Sequence, residues 1–214
     1  MILHCGARSL DLRVPRVMGV MNLTPDSFSD GGRLWRDGRP HADGVLRRAE
    51  RMVADGVDIL DIGGESTRPG ALPVSVQEEC DRVVPMVEAI SARLDVVISV
   101  DTSTPDVITA AAAAGAGLVN DVRALRRPGA LAAAVSTGLP VCLMHMQGEP
   151  RTMQHAPHYE NVCAEVRNFF CDTVRRCVAS GVPAALTALD PGIGFGKKPA
   201  HNFDLLRQIG RAHV

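Results

Sequence analysis

Aromatic residues are scarce in this sequence: one Trp, one Tyr and five Phe, 3% of 214 residues. A core built without them has to rest on Val, Leu, Ile, Ala and Met. Surplus charge of either sign is missing too. The formal net charge is -1, which argues against a nucleic-acid or membrane-surface role, since both usually need a basic excess. No run of about 18 apolar residues occurs, so no transmembrane helix is expected. Met1 to Asp11 lacks a basic start followed by an apolar run and does not read as a signal peptide, so the expected location is cytoplasmic. The six cysteines, Cys5, Cys80, Cys142, Cys163, Cys171 and Cys177, form no Cys-x-x-Cys pair and read as reduced, structural thiols. His155 and His158 flank Pro157 in a loop with no third ligand nearby, which is not zinc spacing.

What remains is ordinary for a globular enzyme-sized domain. Hydrophobic residues make up 46% and charged residues 22%, and the length suits one domain with a sizeable core.

A pattern recurs along the chain. A helical, often Ala-rich stretch ends in a small residue plus Gly, a short β-branched run follows, and a polar residue opens a loop. Gly56, Gly115, Gly138 and Gly181 mark the helix ends, as left-handed C-caps do. Strands are expected at Val17 to Met21, Ile59 to Ile62, Val97 to Val100, Leu118 to Val119, Val141 to Met144 and Leu186 to Leu189. Apolar runs without alternation suit a parallel sheet buried on both faces. Helices are expected at about Ala42 to Asp55, Ser75 to Arg93, Thr104 to Ala114, Gly129 to Ser136 and Tyr159 to Ser180, with a sixth at the end of the chain. Ser75 with Glu78 reads as a capping box, and Thr104-Pro105 as an N-cap with Pro at the first helical position.

About six strand–helix units spaced by roughly 30 residues match the scale of an α/β TIM (β/α)8 barrel. The rival is an open doubly wound sheet. That rival lacks its Gly-x-Gly-x-x-Gly turn after the first strand, and it needs polar strand ends mainly at one switch point. Here every strand ends in a polar residue: Asn22, Asp61, Asp101, Asn120, His145 and Asp190. In a barrel these meet at one mouth. Each alone is often only a loop cap; six in phase suggest a ligand. Carboxylates accept paired N–H bonds and an amide supplies one donor and one acceptor, which suits the guanidine-like edge of a pterin or guanine.

Three loops follow those strand ends. Asn22 to Gly32 is polar with Phe28 and two carboxylates, as a lid over a polar ligand is. Gly63 to Gly70 joins glycines, Ser66, Thr67 and Arg68, a set able to cradle an anion or diphosphate. Asp190 to Lys198 is glycine-shaped but is no Walker A motif, because Pro191 and Lys198 occupy key positions; it is expected to present Phe195 and Lys197.

The segments Met18 to Gly32, Asp61 to Gly70, Ser99 to Ser103, Asn120-Asp121, Leu143 to Gly148 and Asp190 to Lys197 together closely resemble the dihydropteroate synthase family, over about Met18 to Arg207. The resemblance implies a pterin-binding TIM barrel, Mg²⁺, a dihydropterin diphosphate and para-aminobenzoate as small-molecule substrates, and no covalent nucleophile. It assigns the pterin to Asp101, Asn120, Met144 and Asp190. Diphosphate falls to Asn22, Thr67 and Arg68, with Asn22 also on the metal. Asp30 would stabilise developing positive charge, acting with Thr67 and Arg68 in catalysis. Phe28, Pro69 and Phe195 would wall the para-aminobenzoate site. Members continue through two further strands bearing basic residues, so the chain is expected to stop within the sixth unit and to be unstable or aggregation-prone and nearly inactive alone; a homodimer is expected only at full length. The alternatives are another pterin-binding barrel, such as a methyltetrahydrofolate:corrinoid methyltransferase, and a non-catalytic pterin-binding protein.

Overall fold

A computed structural model of the chain describes residues 1–24, 35–36, 39–66, 71–150 and 152–208. A hairpin comes first, β1 (Ile2–Cys5) and β2 (Arg8–Asp11), and then β3 (Met18–Asn22). A two-residue pair, β4 (Trp35–Arg36) and β5 (Arg39–Pro40), precedes α1 (Ala42–Ala54). Strand and helix then alternate: β6 (Ile59–Gly63), α2 (Val76–Ser91), β7 (Val97–Asp101), α3 (Pro105–Ala114), β8 (Leu118–Asp121), α4 (Ala130–Thr137), β9 (Val141–Met144), α5 (Val162–Ala179), β10 (Thr187–Asp190) and α6 (Pro199–Gln208). No helix among the described residues is long and apolar enough to cross a membrane.

Six strands form one parallel sheet in the order β10-β9-β8-β7-β6-β3. Chain order and sheet order coincide, so among the described residues there is no strand-order reversal and no doubly wound switch point. The arrangement is that of six consecutive units of a TIM barrel. Among the described residues β3 and β10 each pair on one side only.

Alternation along the strands separates two layers. Met21, Leu60, Ile62, Ile98, Val100, Val119, Val141 and Leu143 face the helices and join Val45, Val83, Val87, Ile90, Val107 and Ile108 in one core. The intervening residues face the interior. There Ile59 and Val97 pack with Leu3, Cys5 and Leu10, so the N-terminal hairpin closes the bottom of the sheet interior. The sequence reading treated that hairpin only as a region that is not a signal peptide, and it did not foresee β4 and β5.

The helix starts show which capping arguments hold. Ser75 Oγ accepts from Glu78 N at 3.2 Å as expected. The Glu78 carboxylate does not reach back; it pairs with Arg82 one turn on. Thr104 makes no side-chain cap bond, because its hydroxyl is taken by Glu79 and Arg127. The fifth helix starts at Val162 rather than Tyr159, with Asn161 Oδ1 accepting from Ala164 N at 3.0 Å.

Candidate active site

The polar strand ends belong to the sheet rather than to the loops. Asn22 is in register with Gly63, Gly63 with Asp101, Asp101 with Asn120, and Asn120 with Cys142. One interior row therefore carries Asn22, Asp101 and Asn120, all partly exposed. Gly63 sits between the first two because a Cβ there would lie 3.3 Å from Asn22 Oδ1 and 3.4 Å from Asp101 Oδ2. Asp190 pairs with Met144 one row higher on the adjoining strands.

Asp61 lies one row below. It is 3% exposed and is in register with Ser99. Asn120 Nδ2 donates to Asp61 Oδ2 at 3.0 Å. The other Asp61 oxygen and the Ser99 hydroxyl face each other without well-formed hydrogen-bond geometry. Burial raises the Asp61 carboxyl above the usual range; Ser99 and Asn120 oppose the shift and Asp190 adds to it. Burial, then Asp61, Asp121, Glu79 and Glu65, pushes the Asp101 carboxyl well above that range. Cys142, under the same carboxylates, is driven up to about 12, first by burial and then by Asp190, Asp61 and Asp101. That thiol stays protonated and is no nucleophile.

The three residues after Asp101 build the support. Thr102 Oγ1 donates to Glu79 Oε1 at 2.5 Å and Thr104 Oγ1 to Glu79 Oε2 at 2.6 Å. Ser103 donates to Asp121. All three hydroxyls thus end on buried carboxylates. Asp121 also accepts from Arg123 N and Leu125 N, both at 2.8 Å, holding a turn in which Ala124 and Leu125 have φ of 52° and 55°. Arg123 Nη1 reaches Glu65 Oε2 at 3.1 Å and Ser103 Oγ at 3.0 Å, so the loops after β6, β7 and β8 are tied together. The sequence reading did not foresee Glu79, Ser103 or Arg123. Three consecutive hydroxyls beside a strand-end carboxylate were the available signal.

Two expectations are corrected. His145 does not join the mouth. It follows inward-facing Met144 by one residue and so points to the other face, with its ring centroid 4.9 Å from that of Phe169. Burial, then Lys197 and Arg126, lowers its pKa to about 3. Lys197 is not presented either: it is 3% exposed beneath the loop after β10. Phe195 of that loop packs with Val122, Met144, Met146 and Met153, which brings two of the expected ligand-wall residues together. Asp190 Oδ1 accepts from Gly192 N at 2.8 Å, which leaves its other oxygen for a ligand. Asp30, Phe28, Thr67, Arg68 and Pro69 lie outside the described residues.

A donor set of amide and carboxylate oxygens suits a hard cation. Among the described residues no group of three or more His, Cys, Asp or Glu could hold a metal alone. The Asn22 amide oxygen, on the interior row, is a donor of the kind Mg²⁺ takes, and the ion would complete its shell with substrate phosphate and water.

The family model described as pterin binding enzyme matches residues 18–214. The dihydropteroate synthase of Escherichia coli (strain K12) is 52% identical over 213 residues, 100% of this chain and 74% of that protein. The chain belongs to the dihydropteroate synthase family. Among solved structures, the dihydropteroate synthase of Yersinia pestis with a sulfonamide drug superposes with a TM-score of 0.94 at 54% identity, covering 100% of this chain and 76% of that one. The Xanthomonas albilineans dihydropteroate synthase with 4-aminobenzoic acid gives 0.89 at 46%, covering 99% and 73%. The chain thus spans about three quarters of the length of these synthases. Its six-stranded parallel sheet of described residues is of the TIM-barrel type that these structures share.

Proposed function

We propose that this chain carries the dihydropteroate synthase reaction. It joins 6-hydroxymethyl-7,8-dihydropterin diphosphate to para-aminobenzoate and gives 7,8-dihydropteroate and diphosphate. The observation that supports it best is the interior row of Asn22, Asp101 and Asn120 with Asp190 above it, in a chain 52% identical to a synthase.

In this reading Asp101, Asn120 and Asp190 take the N–H-rich edge of the pterin. Two carboxylates and one amide offer a surplus of acceptors, which matches a ring that presents mainly donors. Met144 and Phe195, which packs against the cluster containing Met144, line the ring. Asn22 holds the diphosphate end with Mg²⁺, which when bound supplies Lewis-acid stabilisation of the leaving group. The resemblance adds Thr67 and Arg68 on the diphosphate, Asp30 near the carbon that loses it, and Phe28 and Pro69 beside para-aminobenzoate. The C–O bond breaks with its electron pair going to the departing diphosphate, the amine nitrogen then attacks the cationic methylene carbon, and the amine proton leaves to solvent. Catalysis is positioning plus electrostatics, and the protonated Cys142 takes no part. A sulfonamide would compete for the para-aminobenzoate site.

The test is diphosphate release from dihydropterin diphosphate. Release that requires para-aminobenzoate and Mg²⁺ supports the synthase. Methyl transfer from methyltetrahydrofolate without release of diphosphate indicates the corrinoid methyltransferase, and pterin binding without turnover indicates a binding protein.

A further inference from the structure

Among the described residues Lys197 is the most deeply buried cation, at 3% exposure. Its Nζ lies 3.0 Å from His145 Nδ1, 3.2 Å from His145 O, 3.0 Å from Gly192 O and 3.0 Å from Phe195 O. These partners are four neutral acceptors rather than a carboxylate. A buried ammonium without a counter-ion in contact is costly, and burial lowers its pKa to about 8, against the opposing pull of Asp190. Packing alone would be better served by Met or Leu.

What the ammonium achieves is a connection. It reaches both the end of β9, at His145, and the loop after β10, at Gly192 and Phe195. The same two segments meet through His145 N on Asp190 O at 2.9 Å, and Tyr159 Oη donates to Gly196 O at 2.9 Å. Gly192 fits so tightly that a Cβ would lie 2.1 Å from His145 O. The loop so held carries both Asp190 and Phe195.

We propose that Lys197 is a positioning residue for the pterin substrate, holding Asp190 and Phe195 in register with Asp101 and Asn120. The inference rests on the pterin reading of Asp190. Groups around the ammonium are Asp190 from its own loop, His145 from β9 with Arg126 behind it, and Tyr159 ahead of α5. His145 titrates near 3 and Tyr159 near 12. Loss of the Lys197 proton near 8 removes one of three N–H donors from four acceptors and loosens the loop.

The experiment is steady-state kinetics of the full chain with dihydropterin diphosphate, for wild type, Lys197→Met and Asp190→Asn. Lys197→Met should raise the KM for the pterin substrate about tenfold, with kcat changed less than about threefold. The wild-type KM should rise above about pH 8, and the variant's should stay flat. A variant KM within about twofold of wild type from about pH 7 to about pH 9.5 overturns the proposal. Should Lys197→Met fail to fold, the wild-type profile decides: a rise supports the clamp, and a flat profile overturns it. Asp190→Asn separates the two readings. An unchanged KM there defeats the pterin assignment itself, while a raised KM with Lys197→Met unaffected defeats only the role of Lys197.

Discussion

Asn120 donates through Nδ2 to Asp61 Oδ2 at 3.0 Å, from the row that faces the ligand to the row beneath it. Asp61 Oδ2 is the acceptor of this bond, so Asp61 fixes which end of the Asn120 amide meets it and leaves the amide oxygen for another partner. Asp61→Asn would permit either orientation. Pterin affinity should fall about tenfold while the melting temperature changes by only a few degrees. Calorimetric titration with pterin checks this, and an unchanged affinity would remove the orienting role.

Glu79 is 2% exposed, and burial is the main cause of its raised pKa, opposed by Thr102 and Thr104. The folded state therefore holds its proton to higher pH than the unfolded chain, so this residue's contribution to stability falls as pH rises past 4.5. Glu79→Gln should flatten that dependence and change stability by no more than about 1 kcal/mol at neutral pH, because the amide keeps an acceptor for one of the two hydroxyls and removes the buried charge. Glu79→Ala should cost about 2 kcal/mol, since both threonine hydroxyls lose their acceptor. Urea titrations at two pH values distinguish these outcomes.

His145 works in the opposite direction. With a folded pKa of about 3 against 6.5, the unfolded chain takes up a proton that the folded chain refuses. Stability should decline as pH falls from 6.5 toward 3, at up to about 1.4 kcal/mol per pH unit for this one group. His145→Gln should remove that acid slope. Thermal melts between these limits provide the check.

Gly192 and Gly194 form a matched pair. Both have positive φ, 66° and 85°, but a Cβ at Gly192 would strike the His145 carbonyl at 2.1 Å, whereas Gly194 has open space. Gly194→Ala should cost about 1 kcal/mol for backbone strain alone. Gly192→Ala should cost more than about 3 kcal/mol, or prevent the loop from docking. Chemical denaturation of the two variants side by side gives the comparison.

The strands and helices were legible in the sequence because period and punctuation agreed: β-branched runs between a C-cap glycine and a polar residue can be little else. The expected ends fall one residue short at Asn22, Gly63, Asp101 and Asp190 and two short at Asp121, since a polar or glycine residue at the end of a run looks like loop although its backbone still pairs. His145 was misplaced for a simple reason of parity, as one step along a strand reverses the face. Lys197 reads as a loop cation because nothing local reveals that its own loop folds Gly192 O and Phe195 O over it while His145 arrives from 52 residues away. The hairpin was passed over although Leu3, Cys5 and Leu10 alternate with exposed residues, a signal only four residues long in each strand. The carboxylate network around Glu79 and Asp121 depends on spacings of 18 to 25 residues, which no local pattern carries.

The N-terminal hairpin is synthesised before the strands it packs on and is one of the last parts able to find its place. Leu3, Cys5 and Leu10 pack on Ile59 and Val97, with Leu186 at the edge of the same cluster, and Gly117 passes so close to Cys5 O that a Cβ would lie 2.4 Å away. None of these partners exists when the hairpin emerges from the ribosome, and the last lies some 175 residues later. Its contacts are among the most non-local in the fold, so they form late and contribute to the unfolding barrier rather than to the speed of folding.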